Sequence, residues 1–124
     1  MSSNKRILIA EDDFPIALAL KTIVASNIGC EVEMVGNGRE AWEALQKKPF
    51  DLVLSDWNMP EMTGAQLRAE MRAVPHLAKI PFIMLTARGD KESVVEAVSA
   101  GITDYVHKPF KRTSLLEKIR TRLG

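Results

Sequence analysis

Short unbroken apolar runs alternate along the chain with stretches whose apolar residues recur at helical spacing. The first run, residues 7–10, is closed by Glu11, Asp12 and Asp13. A helical pattern follows, with Ile16, Leu20, Ile23 and Val24 on one face, Pro15 in its first turn and Gly29 beyond its end. Residues 32–35 predict a second strand and Gly36-Asn37-Gly38 a turn, after which Ala41, Trp42 and Leu45 recur helically until Pro49. Residues 52–55 form a third apolar run that ends at Asp56. A loop through Pro60 and Gly64 leads to a helix carrying Leu67 and Met71, which stops before Pro75. Residues 82–85 are a fourth strand, ending at Thr86. The pattern at 92–100 predicts a helix with Val94, Val95 and Val98 inward, stopping at Gly101. A fifth strand at 105–107 precedes Lys108-Pro109, and Leu115, Leu116, Ile119 and Leu123 stripe a last helix.

Strand and helix thus alternate five times. Short strands buried on both faces, each followed by an amphipathic helix, predict an α/β fold: a doubly wound five-stranded parallel sheet with helices on both faces. Right-handed crossovers leave few alternative topologies. In such sheets ligands bind outside the carboxyl ends of the strands, so the residues that close the strands are the candidates for chemistry.

Those residues are Glu11, Asp12 and Asp13 after the first strand, Asp56 after the third, Thr86 after the fourth and Lys108 after the fifth. If these four strands are neighbours, the side chains converge on one pocket. Clustered carboxylates repel unless positive charge sits among them. A hard divalent cation with oxygen ligands answers this, and Mg²⁺ (or Mn²⁺) suits a site that keeps waters and accepts a phosphate oxygen. Lys108 adds a mobile point charge and Thr86 a hydroxyl donor, all around a carboxylate nucleophile. These are the parts of a phosphoryl-transfer site, where catalysis is mostly positioning and charge stabilisation. Taken singly, each acid would be an ordinary solvated loop residue and Lys108 a surface lysine; their shared edge favours function.

Composition narrows the partners. The 124 residues, 46% apolar and 27% charged, fit one globular domain spanning 1–124, with no linker or repeat. A net charge of +1 offers no field to recruit nucleic acid or anionic membrane. The single cysteine, Cys30, allows no internal disulfide and fits a reducing compartment, where it reads as a small buried hydrophobe. No signal peptide precedes residues 7–10, and no apolar run has the length to span a bilayer. A cytoplasmic, monomeric module is expected.

Four segments carry a resemblance: Ile7-Leu8-Ile9-Ala10-Glu11-Asp12, Ser55-Asp56-Trp57-Asn58-Met59-Pro60, Leu85-Thr86-Ala87 and Tyr105-Val106-His107-Lys108-Pro109-Phe110. With these, and with the spacing of Asp12, Asp56, Thr86 and Lys108, the whole chain resembles the response-regulator receiver family, in particular its single-domain chemotaxis regulators. The resemblance implies a flavodoxin-like sheet of strand order 2-1-3-4-5. It implies Asp56 as phosphoacceptor and Glu11, Asp12, Asp56 and the backbone carbonyl of Asn58 as metal ligands, which leaves Asp13 as a helix N-cap. Lys108 would pair with the phosphoryl oxygens, and its bond to Pro109 would be cis. Thr86 and Tyr105 would form the switch pair, and Lys91, Val94, Tyr105 and Lys118 would line a partner site. A histidine kinase would donate the phosphoryl group, and output would go to another protein, such as a flagellar motor switch component or a phosphatase.

Some positions depart from the chemotaxis regulators. Glu11 stands where they have Asp, Arg88 replaces an acid at a position that tunes dephosphorylation, and Gly89 and His107 differ on their output face. Gly36-Asn37-Gly38-Arg39-Glu40-Ala41 also matches the G-x-G-x-x-A dinucleotide fingerprint, but it follows the second strand rather than the first and would leave Glu11, Asp12, Thr86 and Lys108 unexplained. Trp57 is expected to border the site, Met34, Met71 and Met84 to fill the core, and His76 and His107 to be ordinary surface residues. The expected function is a phosphorylation-controlled binding module with no output domain and no turnover of an exogenous substrate. One alternative is a phosphorelay shuttle to a histidine-phosphotransfer protein. Another is an aspartate-nucleophile phosphatase, which typically wants a second aspartate where Asn58 stands.

Overall fold

Five parallel strands pair in the order β2-β1-β3-β4-β5, as the resemblance implies. The computed structural model describes residues 5–87, 95, 104–108 and 110–123. The strands are β1 (Arg6–Ala10), β2 (Glu31–Val35), β3 (Leu52–Asp56), β4 (Phe82–Ala87) and β5 (Asp104–Lys108). The helices are α1 (Phe14–Ile28), α2 (Gly38–Lys47), α3 (Gly64–Arg72), α4 (Pro75–Ala78) and α5 (Arg112–Leu123). Lys91, Val94, Arg88, Gly89, the 92–100 pattern apart from Val95, and Pro109 lie outside the described residues.

The alternation of side chains along each strand splits the core in two. On one face Leu8, Ala10, Val53, Phe82 and Met84 pack with Ala41 and Leu45 of α2 and Leu67 and Met71 of α3. On the other, Ile7, Ile9, Leu52, Leu54, Ile83, Leu85 and Val106 pack with Leu20 and Val24 of α1 and Leu115 and Ile119 of α5. Burial on both faces explains why β1, β3 and β4 read as unbroken apolar runs. The edge strand β2 is covered less, so Glu31 and Glu33 are tolerated there and Met34, expected as core, is only half-buried. Met71, Met84 and Cys30 are buried as expected.

Helix starts follow their sequence signals. Asp13 caps α1, its Oδ1 accepting from the Ile16 N–H at 3.3 Å. Thr63 and Gln66 form a reciprocal capping box at the start of α3. Between α3 and β4, where the sequence pattern assigns no element, Pro75 opens the single turn α4, which Leu77 anchors in the core. Val95, expected inward, is 64% exposed.

Candidate functional site

The parallel register brings the four strand ends to one edge. Ala10 pairs with Ser55, Asp56 with Leu85 and Ala87 with Lys108, so Glu11, Asp56, Thr86 and Lys108 lie at the carboxyl ends of neighbouring strands. A cleft at this edge is lined by Glu11, Asp12, Asp13, Ile16, Asp56, Trp57, Asn58 and Lys108. Carboxylate oxygens of Glu11, Asp12 and Asp56 lie within 4.8 Å of one another. Three oxygen donors at that spacing, on a cleft open to solvent at exposed Asp12, fit a hard divalent cation that keeps some of its waters.

Lys108 is the cation that balances this cluster. Its Nζ donates to Glu11 Oε1 at 2.8 Å and lies 3.3 Å from Asp56 Oδ1. Glu11 is nearly fully buried, and burial pushes its pKa from 4.5 to about 7; the Lys108 hydrogen bond opposes the rise and the Asp56 charge adds to it. Burial disfavours the Lys108 charge too, but its bonds to Glu11 and Asp56 prevail and hold its pKa above the ordinary lysine value. Among the described residues one lysine faces these three carboxylates, a surplus of negative charge that attracts a metal ion.

The backbone around Asp56 is tightly held. The Ser55 hydroxyl donates to the Asp56 carbonyl at 2.9 Å, the Trp57 N–H bonds Leu85 O, and the Gly64 N–H bonds Trp57 O. A Cβ on Gly64 would lie 2.6 Å from the Asp56 carbonyl oxygen, so only glycine lets α3 begin this close to the site. Gly38 is constrained in the same way, since a Cβ there would clash with the carbonyl oxygen of Met62, in the loop that leaves β3. Asn37 caps α2, accepting from the Glu40 N–H at 2.8 Å, while Glu40 accepts from the Gly36 N–H at 2.9 Å. Capping and close packing therefore account for the glycine-rich segment that matched the dinucleotide fingerprint.

The remaining expected residues divide. Trp57 borders the cleft, as expected, and also packs half-buried on the core. Asn58 is exposed on the cleft wall. Thr86 is completely buried and is not among the residues lining the cleft. Tyr105 is half-buried against the α2–α3 core face. Lys118 lies away from the cleft, on a surface hollow that it shares with Asp104 and Arg122. His76 is exposed as expected. His107 is exposed as well, but it is more than an ordinary surface residue, because its Nδ1 lies 3.0 Å from Thr86 Oγ1. Only the β4–β5 register, which sets these two residues side by side, could have signalled that contact.

A profile of the response regulator receiver domain matches residues 7–120. The chain belongs to that family. It is 38% identical to the chemotaxis protein CheY1 of Helicobacter pylori, over 96% of this chain and 97% of the relative. It is 34% identical to the chemotaxis protein CheY-3 of Vibrio cholerae, over 96% and 92%. Among solved structures, the chemotaxis response regulator CheY4 of Vibrio cholerae superposes with a TM-score of 0.88 at 31% identity, covering 97% of this chain and 99% of that one. The receiver domain of a sensor histidine kinase from Pseudomonas aeruginosa superposes with a TM-score of 0.90 at 28% identity, covering 98% and 99%; that structure has a magnesium ion coordinated in its active-site cleft. The receiver fold and the acidic pocket of this family are thus both present. No helix among the described residues is long and apolar enough to cross a membrane.

Proposed function

We propose that this receiver domain accepts a phosphoryl group from a histidine kinase onto Asp56 and signals by phosphorylation-dependent binding to another protein, in a chemotaxis-like pathway. The observation that carries the reading is Lys108 seated between Glu11 and Asp56 in a cluster of three carboxylates. Glu11, Asp12, Asp56 and the Asn58 carbonyl would hold Mg²⁺ (or Mn²⁺), which when bound supplies positive charge against the phosphoryl oxygens. An Asp56 carboxylate oxygen forms the new bond to phosphorus as the bond from phosphorus to the donor histidine nitrogen breaks. The Lys108 ammonium then moves from Glu11 to the new oxygens, a change of partner that its flexible stem allows. The Thr86 hydroxyl donates to the same group, and Tyr105 turns inward behind it. With Asn58 where a phosphatase would want an acid, the domain holds its phosphoryl group rather than turning over an external ester.

Beryllofluoride, a phosphoryl mimic, tests the site directly. Titrated with Mg²⁺ present, it should change the emission of Trp57, which adjoins Asp56. The response should be lost in EDTA and in Glu11→Gln or Asp12→Asn. Equal responses from both variants and the parent would put the metal site elsewhere.

A further inference from the structure

Thr86, the next-to-last residue of β4, pairs with His107 of β5, and paired residues of neighbouring strands project from the same face of the sheet. Thr86 is completely buried, and its Oγ1 lies 3.0 Å from His107 Nδ1, while the imidazole itself reaches the surface. A threonine hydroxyl has a single proton to give. In the tautomer that carries the ring proton on Nε2, Nδ1 is an acceptor and the Thr86 proton points to it. A hydroxyl held in that way cannot at the same time donate to an oxygen on Asp56.

We propose that His107 is a latch on Thr86: it holds the hydroxyl in the unphosphorylated domain, and that hydrogen bond must break before Thr86 can bind a phosphoryl oxygen. His107 is therefore a positioning residue that sets the resting bias of the switch. The inference rests on the proposed role of Asp56 and Thr86. Beryllofluoride binding then competes with the latch, and its apparent affinity is lowered by whatever the Thr86–His107 bond contributes to the resting state.

The test is a set of beryllofluoride titrations, with Mg²⁺ present, followed by Trp57 fluorescence. Because His107 is exposed on a strand, valine fits there without disturbing the core. His107→Val removes the acceptor and should tighten beryllofluoride binding by about 3- to 10-fold, the range a net neutral hydrogen bond contributes. His107→Asn, whose amide oxygen can stand close to the position of Nδ1, should restore affinity near that of the parent. In a Thr86→Val background the His107→Val gain should vanish, because the latch acts only through the hydroxyl. Urea unfolding without beryllofluoride should show His107→Val less stable than the parent, since it leaves a buried hydroxyl unpaired. An unchanged affinity in His107→Val, or an equal gain with and without the Thr86 hydroxyl, would overturn the latch. A parent that ignores beryllofluoride, or an Asp56→Asn variant that binds it equally well, would instead overturn the phosphoacceptor reading on which the latch rests.

Discussion

Glu11 is a carboxylate buried beside a second acid, and its replacement by glutamine makes that arrangement measurable. The amide keeps the size of the side chain, and its oxygen can still accept from Lys108, but it has no proton to lose. Burial and the Asp56 charge raise the Glu11 pKa from 4.5 to about 7 in the folded, metal-free domain. Over that window the folded domain keeps a proton that the unfolded chain has released. The contribution to stability is complete below pH 4.5 and is lost as the pH rises through about 7. At about 1.4 kcal/mol per pH unit, the loss in the parent amounts to about 3 kcal/mol. Glu11→Gln does not undergo it. In EDTA, parent and variant should therefore have similar stability near pH 4.5 and diverge to the variant's advantage by pH 8. The groups the two proteins share cancel in the difference. Urea unfolding followed by tryptophan emission, with an m-value of about 1–3 kcal/mol/M, would register this as a midpoint difference on the order of 1–3 M. Excess Mg²⁺ at pH 8 should narrow or reverse the gap, because the metal stabilises only the protein that offers it the carboxylate. Parallel stability–pH curves for the two proteins in EDTA would refute the reasoning.

Two further substitutions test the frame that carries the site. Gly64→Ala places a methyl group against the Asp56 carbonyl at 2.6 Å, so the start of α3 must shift; urea unfolding should show a loss of about 1–3 kcal/mol, and acetyl phosphate should label the variant more slowly. Leu54→Ala empties a fully buried position on the α1–α5 face of β3, two residues before Asp56; it should cost about 2–5 kcal/mol in urea unfolding, and beryllofluoride should recover part of that loss if the site still forms.

The sheet was legible because its inner strands are buried on both faces, which makes 7–10 and 52–55 unbroken apolar runs. The site was legible for a related reason: in a parallel sheet the strand-closing residues share one edge, so Glu11, Asp56 and Lys108 could be grouped although Glu11 and Lys108 stand 97 residues apart. The strand order, the role of Asn58 and the switch pair came only with the family resemblance. What local pattern could not supply were contacts between segments. The Thr86–His107 bond exists only in the β4–β5 register, and Gly38 has its reason in Met62, on another loop. The turn α4 is too short to show a periodicity, and an apolar residue at helical spacing, as Val95 is, need not face the core.

The central claim is that Asp56 is the residue that takes the phosphoryl group. Incubation with acetyl phosphate and Mg²⁺, reductive trapping of the acyl phosphate with borohydride and peptide mass mapping test it most directly. The account predicts a single modified site in the parent, at Asp56, and no modification in EDTA or in Asp56→Asn. Full labelling of Asp56→Asn, or trapping at Asp12 or Glu11 in place of Asp56, would contradict it.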